Sequence, residues 1–199
     1  MATSIVPPST GPAGGRPRRW TCDEFHQLSD EGWFEGERVI LVDGEVIEMP
    51  APNPPHDMAV GLTDYLLKGL FGAGYWVRVQ TGLPLGQATD PVPDIAVVPG
   101  SPRSYPQHPS AALLVVEISD TSLAYDTTAK ANLYAAGGIA DYWVVDLVNR
   151  RLLIFRDPLA DATQPFGHRY ATVLTTTPGN SASPLALPAA TVRVDDLLP

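Results

Sequence analysis

Two continuous apolar runs, Ile95 to Val98 and Leu113 to Val116, each carry a carboxylate at one end: Asp94, after Pro93, opens the first, and Glu117 closes the second. Runs this short and without a polar break read as buried strands. Both acids would then sit at strand ends and face into the fold, where an unpaired negative charge is costly. A divalent cation is one remedy.

A third charge sharpens the pattern. The chain uses Arg eleven times and Lys only twice, at Lys68 and Lys130. A lysine kept against that bias, on the helix predicted just after the Glu117 strand, points to a compact ammonium with a tunable pKa, which a guanidinium cannot supply. The plainer alternative is a surface lysine paired with Asp126 four residues back. Asp94 could likewise be a turn residue at a strand entry, and Glu117 a carboxylate tied to Lys130 or an arginine.

A chain of 199 residues supports one domain with a real core. The 21 prolines and 17 glycines imply many turns, and residues 1–19, with four Pro, three Gly and the cluster Arg16, Arg18 and Arg19, read as a disordered tail ahead of a single domain over 20–199. The start lacks a signal-peptide pattern, and no stretch approaches the roughly 18 apolar residues of a membrane span, so the expected location is cytoplasmic, with no membrane partner. Cys22, alone, has no disulfide partner. A net charge of -9 lowers the prospect of a nucleic-acid footprint without excluding a nuclease, because bound metal offsets carboxylates locally.

Along the chain, Thr21 and Glu24 have capping-box spacing for a helix over 22–31, expected to pack on the sheet edge. Residues 38–42 and 45–49 around Asp43-Gly44 read as a hairpin. Pro50 to Pro55 reads as a loop, 56–70 as a long helix, and 75–79 and 83–85 as strands. After the Asp94 strand, a Pro-rich loop over 99–109 and the Glu117 strand, 124–136 reads as one helix and 141–146 as a strand, a crossover unit whose flanking strands run parallel. Strands follow over 151–156, 170–174 and 192–194. The aromatic residues Tyr134, Tyr142 and Trp143 read as core or dimer contacts rather than base-stacking groups.

The block Val116-Glu117-Ile118-Ser119-Asp120-Thr121-Ser122-Leu123-Ala124-Tyr125-Asp126, with Lys130, Leu133-Tyr134, Gly138-Ile139 and Asp141 to Asp146, resembles the Uma two family, described as putative restriction endonucleases. Pro93 to Val98 and Val42 to Glu45 fit the same pattern, and the resemblance covers about residues 20–198. It implies the PD-(D/E)xK restriction-endonuclease-like α/β (α+β) fold: a central mixed sheet flanked by helices, with an N-terminal hairpin and acidic residues that bind Mg2+, for which Mn2+ can substitute. Asp94 and Glu117 would be its acidic pair and Lys130 a lysine displaced from the strand, where Ser119 stands instead. One departure is Ile40, where the family often has a glutamate; Glu37 or Glu45 would have to compensate. His56 resembles a histidine at the start of the family's long helix.

The resulting expectation is a metal-dependent endonuclease acting on nucleic acid, DNA in the first instance, as a homodimer with strands near Trp143 as its candidate interface. Asp94, Glu117 and the Ile118 carbonyl would hold magnesium, Lys130 would assist, and His56, Gln80 and Ser119 are accessory candidates. The alternatives are a weakened nuclease-fold dimer serving as a binding or regulatory module, and a hydrolase of non-nucleic phosphate esters.

Overall fold

The structure is a computed structural model and describes residues 16–199. Most of the tail expected over 1–19 lies outside the described residues. At its end, Arg18 pairs with Glu24 and Arg19 with Asp43.

Helix α1 (Cys22–Asp30) begins with the expected capping box: Thr21 accepts from the Glu24 amide while the Glu24 carboxylate accepts from the Thr21 amide. Phe25 and Cys22 pack with Leu41 from the hairpin of β1 (Val39–Val42) and β2 (Glu45–Glu48), so α1 rests on the hairpin rather than on the edge of the main sheet. The hairpin turn is Asp43-Gly44, both with positive φ, as a two-residue turn of this hand requires.

Helix α2 (Pro54–Phe71) starts two residues earlier than expected. Pro54 and Pro55 belong to its first turn, where a missing N–H costs nothing, and Asn53 caps it by accepting from the His56 amide. The central sheet follows the order β3 (Tyr75–Val79), β4 (Ile95–Pro99), β5 (Leu114–Ser119), β6 (Asp141–Asp146), β7 (Arg151–Ala160), β8 (His168–Thr176). Only β5 and β6 run parallel, joined by the expected helical crossover; every other neighbour is antiparallel. The fold is therefore α/β with a mixed sheet flanked by helices and an N-terminal hairpin.

Several local expectations give way. Residues 83–85 form no strand, because Leu83 and Leu85 bond only to the nearby loop residues Pro91 and Thr89. The helix expected over 124–136 is two, α3 (Leu123–Asp126) and α4 (Ala129–Ala136). Thr127 and Thr128 lie at the break, their hydroxyls donating to the carbonyls of Leu123 and Ala124 in competition with the backbone ladder. The last strand, β10 (Val192–Arg193), joins β9 (Ser181–Ala182) in a separate two-stranded sheet.

The sheet's alternation sorts two cores. Val77, Ile95, Val97, Val116 and Ile118 pack under α2, while Ala96, Val115, Tyr142 and Val144 pack under α4. Each fully buried Val or Ile side chain among these contributes about 1.5–3 kcal/mol. Trp143 is completely covered and every residue of β6 is buried, so this strand itself forms core. Among the described residues, no helix is long and apolar enough to cross a membrane.

Candidate functional site

The antiparallel pairing of β4 and β5 sets Ile95 opposite Val116, so the residue before β4 and the residue after Val116 become neighbours. These are Asp94 and Glu117, distant in sequence and side by side at one end of the sheet. The Ile118 amide, just past the last paired residue of β4, donates to Asp94 Oδ2 at 2.8 Å, and the Asp94 amide lies 3.4 Å from Glu117 Oε2. On the other side, β3 pairs Val79 with Ile95, which brings Gln80 level with Asp94. Gln80 takes a left-handed φ of 46°, uncommon outside glycine, and donates through Nε2 to Asp94 Oδ1 at 3.3 Å. From the first turn of α2, His56 Nε2 reaches Asp94 Oδ2 at 3.2 Å. Asn53 ties that turn to the end of β5 by donating to Asp120 at 2.5 Å.

Helix α4 supplies the amine. Lys130 Nζ lies 2.9 Å from Glu117 Oε2 and 3.5 Å from Asp126 Oδ1, with its side chain only 7% exposed. Neither sequence alternative stood alone: the lysine pairs with Asp126 four residues back, yet it is buried and its shorter contact is Glu117. One turn further on, Tyr134 donates to Glu117 Oε1 at 2.6 Å, so a single helix face serves both oxygens of Glu117. The sequence reading placed Tyr134 in the core and missed this bond. A phenol at a buried helix position was the available signal, since a buried tyrosine hydroxyl needs a partner.

Burial pushes the Glu117 carboxyl up to about 8 despite the pull of Lys130, and the adjacent Asp94 and Asp126 add to the rise. Burial alone would raise Asp94 as well, but the bond and charge of His56, the Ile118 amide and Lys130 bring it below the usual carboxylate range. The Asp94 bond raises His56. Lys130 would fall on burial, but Glu117 and Asp126 hold it above its ordinary value. Three carboxylates thus face one fixed cation.

These groups border a cavity of about 750 Å³, lined also by Phe25, Phe34, Met49, Asp120 and Ser122. Ile40 stands in the cavity lining, buried, where the resemblance anticipates a glutamate. Glu37 lines the cavity too, whereas Glu45 is outside it and pairs with Arg19. Ser119 is buried, does not line the cavity, and its hydroxyl has no partner among the described residues. Among the described residues no three His, Cys, Asp or Glu side chains form a metal-ligand cluster. The donor chemistry nevertheless fits a hard cation: the excess negative charge is carried by oxygen ligands, and Asp94 Oδ1 holds only the long contact to Gln80.

The chain belongs to the PD-(D/E)xK-like nuclease superfamily. Within it the chain belongs to the Uma2 family, described as "Putative restriction endonuclease", which it matches over residues 22–195. The chain is also similar to a solved structure from Anabaena variabilis, described as a "putative nuclease belonging to DUF820", with a TM-score of 0.65 and 15% identity over 89% of this chain and 96% of that one. At that identity the likeness concerns the fold. No curated protein matches the chain.

Proposed function

We propose that the protein is a divalent-metal-dependent endonuclease that hydrolyses phosphodiester bonds in nucleic acid, DNA in the first instance. The observation that carries this reading is the convergence of Asp94, Glu117 and Lys130, from three separate elements, at one end of a single cavity. Family membership supports it at the level of class.

Asp94, Glu117 and the carbonyl of Ile118 would hold magnesium, or manganese in its place, with water completing the shell. Bound there, the ion supplies Lewis acidity toward a phosphate oxygen and a more acidic water. Lys130 keeps an ammonium beside Glu117, placed to neutralise charge that develops on the phosphate. Tyr134 fixes the Glu117 carboxylate and Gln80 and His56 fix that of Asp94, so the acidic pair is oriented before any ligand arrives. Ser119 takes no part.

Asp94→Ala and Lys130→Ala are expected to abolish magnesium- and manganese-dependent cleavage of a labelled DNA while circular dichroism shows a folded chain. Cleavage at wild-type rate by either variant would refute the reading. A second reading, a nuclease-fold module that binds or regulates without cutting, is favoured by Ile40 in the cavity lining and by carboxylate oxygens that already have donors. Calorimetry separates the two: metal binding lost in Glu117→Ala supports the enzyme, and absence of binding at millimolar metal supports the module. A homodimer would need a surface other than β6, and light scattering tests for it.

A further inference from the structure

A second polar cluster borders the same cavity and takes no part in the network of Asp94, Glu117 and Lys130. It draws on three segments: His26 from α1, Asp90 from the connection between β3 and β4, and His108 from the loop before β5, all lining the cavity. Behind them stands Arg78 on β3, 2% exposed. His26 Nε2 lies 2.6 Å from Asp90 Oδ2, and Arg78 donates to the Gly82 carbonyl at 2.8 Å and to His108 Nδ1 at 3.0 Å. The two imidazole centroids are 5.9 Å apart.

The hydrogen-bond inventory fixes what each ring presents. A guanidinium only donates, so His108 Nδ1 accepts and Nε2 carries that ring's N–H. The Asp90 carboxylate takes a hydrogen from His26 Nε2, so Nδ1 of that ring accepts from the hydroxyl of a protonated phosphate or, when the ring carries both protons, donates to a phosphate oxygen. The cluster is also incomplete. Arg78 makes no ion pair among the described residues, and its Nε and Nη1 have no hydrogen-bond partner there. Asp90 Oδ1 is also unpartnered, and a Cβ at Gly82 would come within 2.9 Å of it, so glycine is what lets this carboxylate sit behind His26.

A buried guanidinium without a direct ion pair is costly; Arg78 lies over the Trp76 ring, and Asp90, the acid that acts on it through space, also serves His26. An anion held at the two rings shares in offsetting that charge from the cavity side. The remaining titratable lining is largely acidic, with Glu35, Glu37, Asp94, Glu117, Asp120 and Asp126 facing the cavity, so an anion is favoured at the histidine cluster over the rest. A nucleobase would satisfy the ring nitrogens but not Arg78.

We propose that His26 and His108, backed by Asp90 and Arg78, form a phosphate-binding subsite that holds a substrate phosphate other than the one presented to Asp94 and Glu117. The nuclease reading supplies only the identity of the phosphate's carrier; the anion site stands on its own geometry.

The test begins with the full chain, free of divalent metal, titrated with inorganic phosphate while the imidazole signals of its four histidines are followed by NMR. The signals of His26 and His108 should shift and saturate together, those of His56 and His168 should stay, and His26→Gln should remove the response of His108. No shift at His26 and His108, or an equal drift of all four, overturns the proposal, and His108→Gln provides a second variant should His26→Gln fold poorly. Next, binding of fluorescent oligonucleotides with and without a 5′-phosphate is measured in the Asp94→Ala background. Loss of about tenfold in affinity on adding His26→Gln, for the phosphorylated strand alone, assigns a terminal phosphate; an equal loss for both assigns an internal diester; no loss for either overturns the substrate role. Phosphate binding without cleavage of any nucleic acid in manganese would leave this subsite standing and remove the nuclease reading.

Discussion

Each oxygen of Glu117 has its own donor, Tyr134 on one and Lys130 on the other, yet burial beside Asp94 and Asp126 still pushes its carboxyl up to about 8. Because that value lies above the 4.5 of an unperturbed glutamate, the folded chain binds the proton more tightly than the unfolded one. The associated stability is full in acid and is lost as pH rises through about 8. Thermal melts of the metal-free protein should therefore show stability declining across that window, with Glu117→Gln flattening the decline; a wild-type profile unchanged in the variant would contradict the assignment. Asp94 works in the opposite sense, adding stability that is lost as acid protonates it. On the proposed metal reading the ion displaces the Glu117 proton, so magnesium affinity should rise about tenfold per pH unit below about 8, with proton release seen in calorimetry in buffers of different ionisation heat.

At the scale of elements, the hairpin shows how local chemistry settles a shape. Gly44 combines a φ of 77° with a close approach to the backbone of Arg19 and Trp20, where an added Cβ would lie 2.5 Å from Arg19 Cβ. Gly44→Ala should destabilise the chain by about 1–3 kcal/mol in urea unfolding, through strain and overlap together. The turn was legible because Asp-Gly carries its own conformational preference, and α1 was legible because Thr21 and Glu24 cap it from within. The break between α3 and α4 was not, since it depends on threonine hydroxyls choosing carbonyls over solvent. Strand β7 runs past the expected end at Arg156 because Asp157 takes a positive φ and lets pairing resume at Pro158 with Tyr170. Asp94, Glu117 and Lys130 could be picked out by charge beside apolar runs. Tyr134 and the Arg78 cluster could not, because their meaning lies in partners remote in sequence.

For the whole molecule, the order of the strands governs both endurance and placement of the site. The β5–β6 pair is covered by α2 on one face and α4 on the other, with residues from Leu114 to Ser119 and Asp141 to Asp146 all buried. Its amides should exchange with deuterium most slowly, and those of β9 and β10, paired over two residues each, among the fastest; the reverse order would overturn this account of where the core lies. The sheet's architecture was readable from short apolar runs and one crossover, whereas the separate β9–β10 sheet, too brief for any periodicity, was not.

Because the acids ride on the sheet while the ammonium rides on α4, the two halves of the proposed site belong to different mechanical parts. The joint at Thr127 and Thr128 lies between them, three and two residues before Lys130. A ligand that pulled this short helix aside would disarm the centre as a safety catch does, leaving the anchored carboxylates in register for re-engagement.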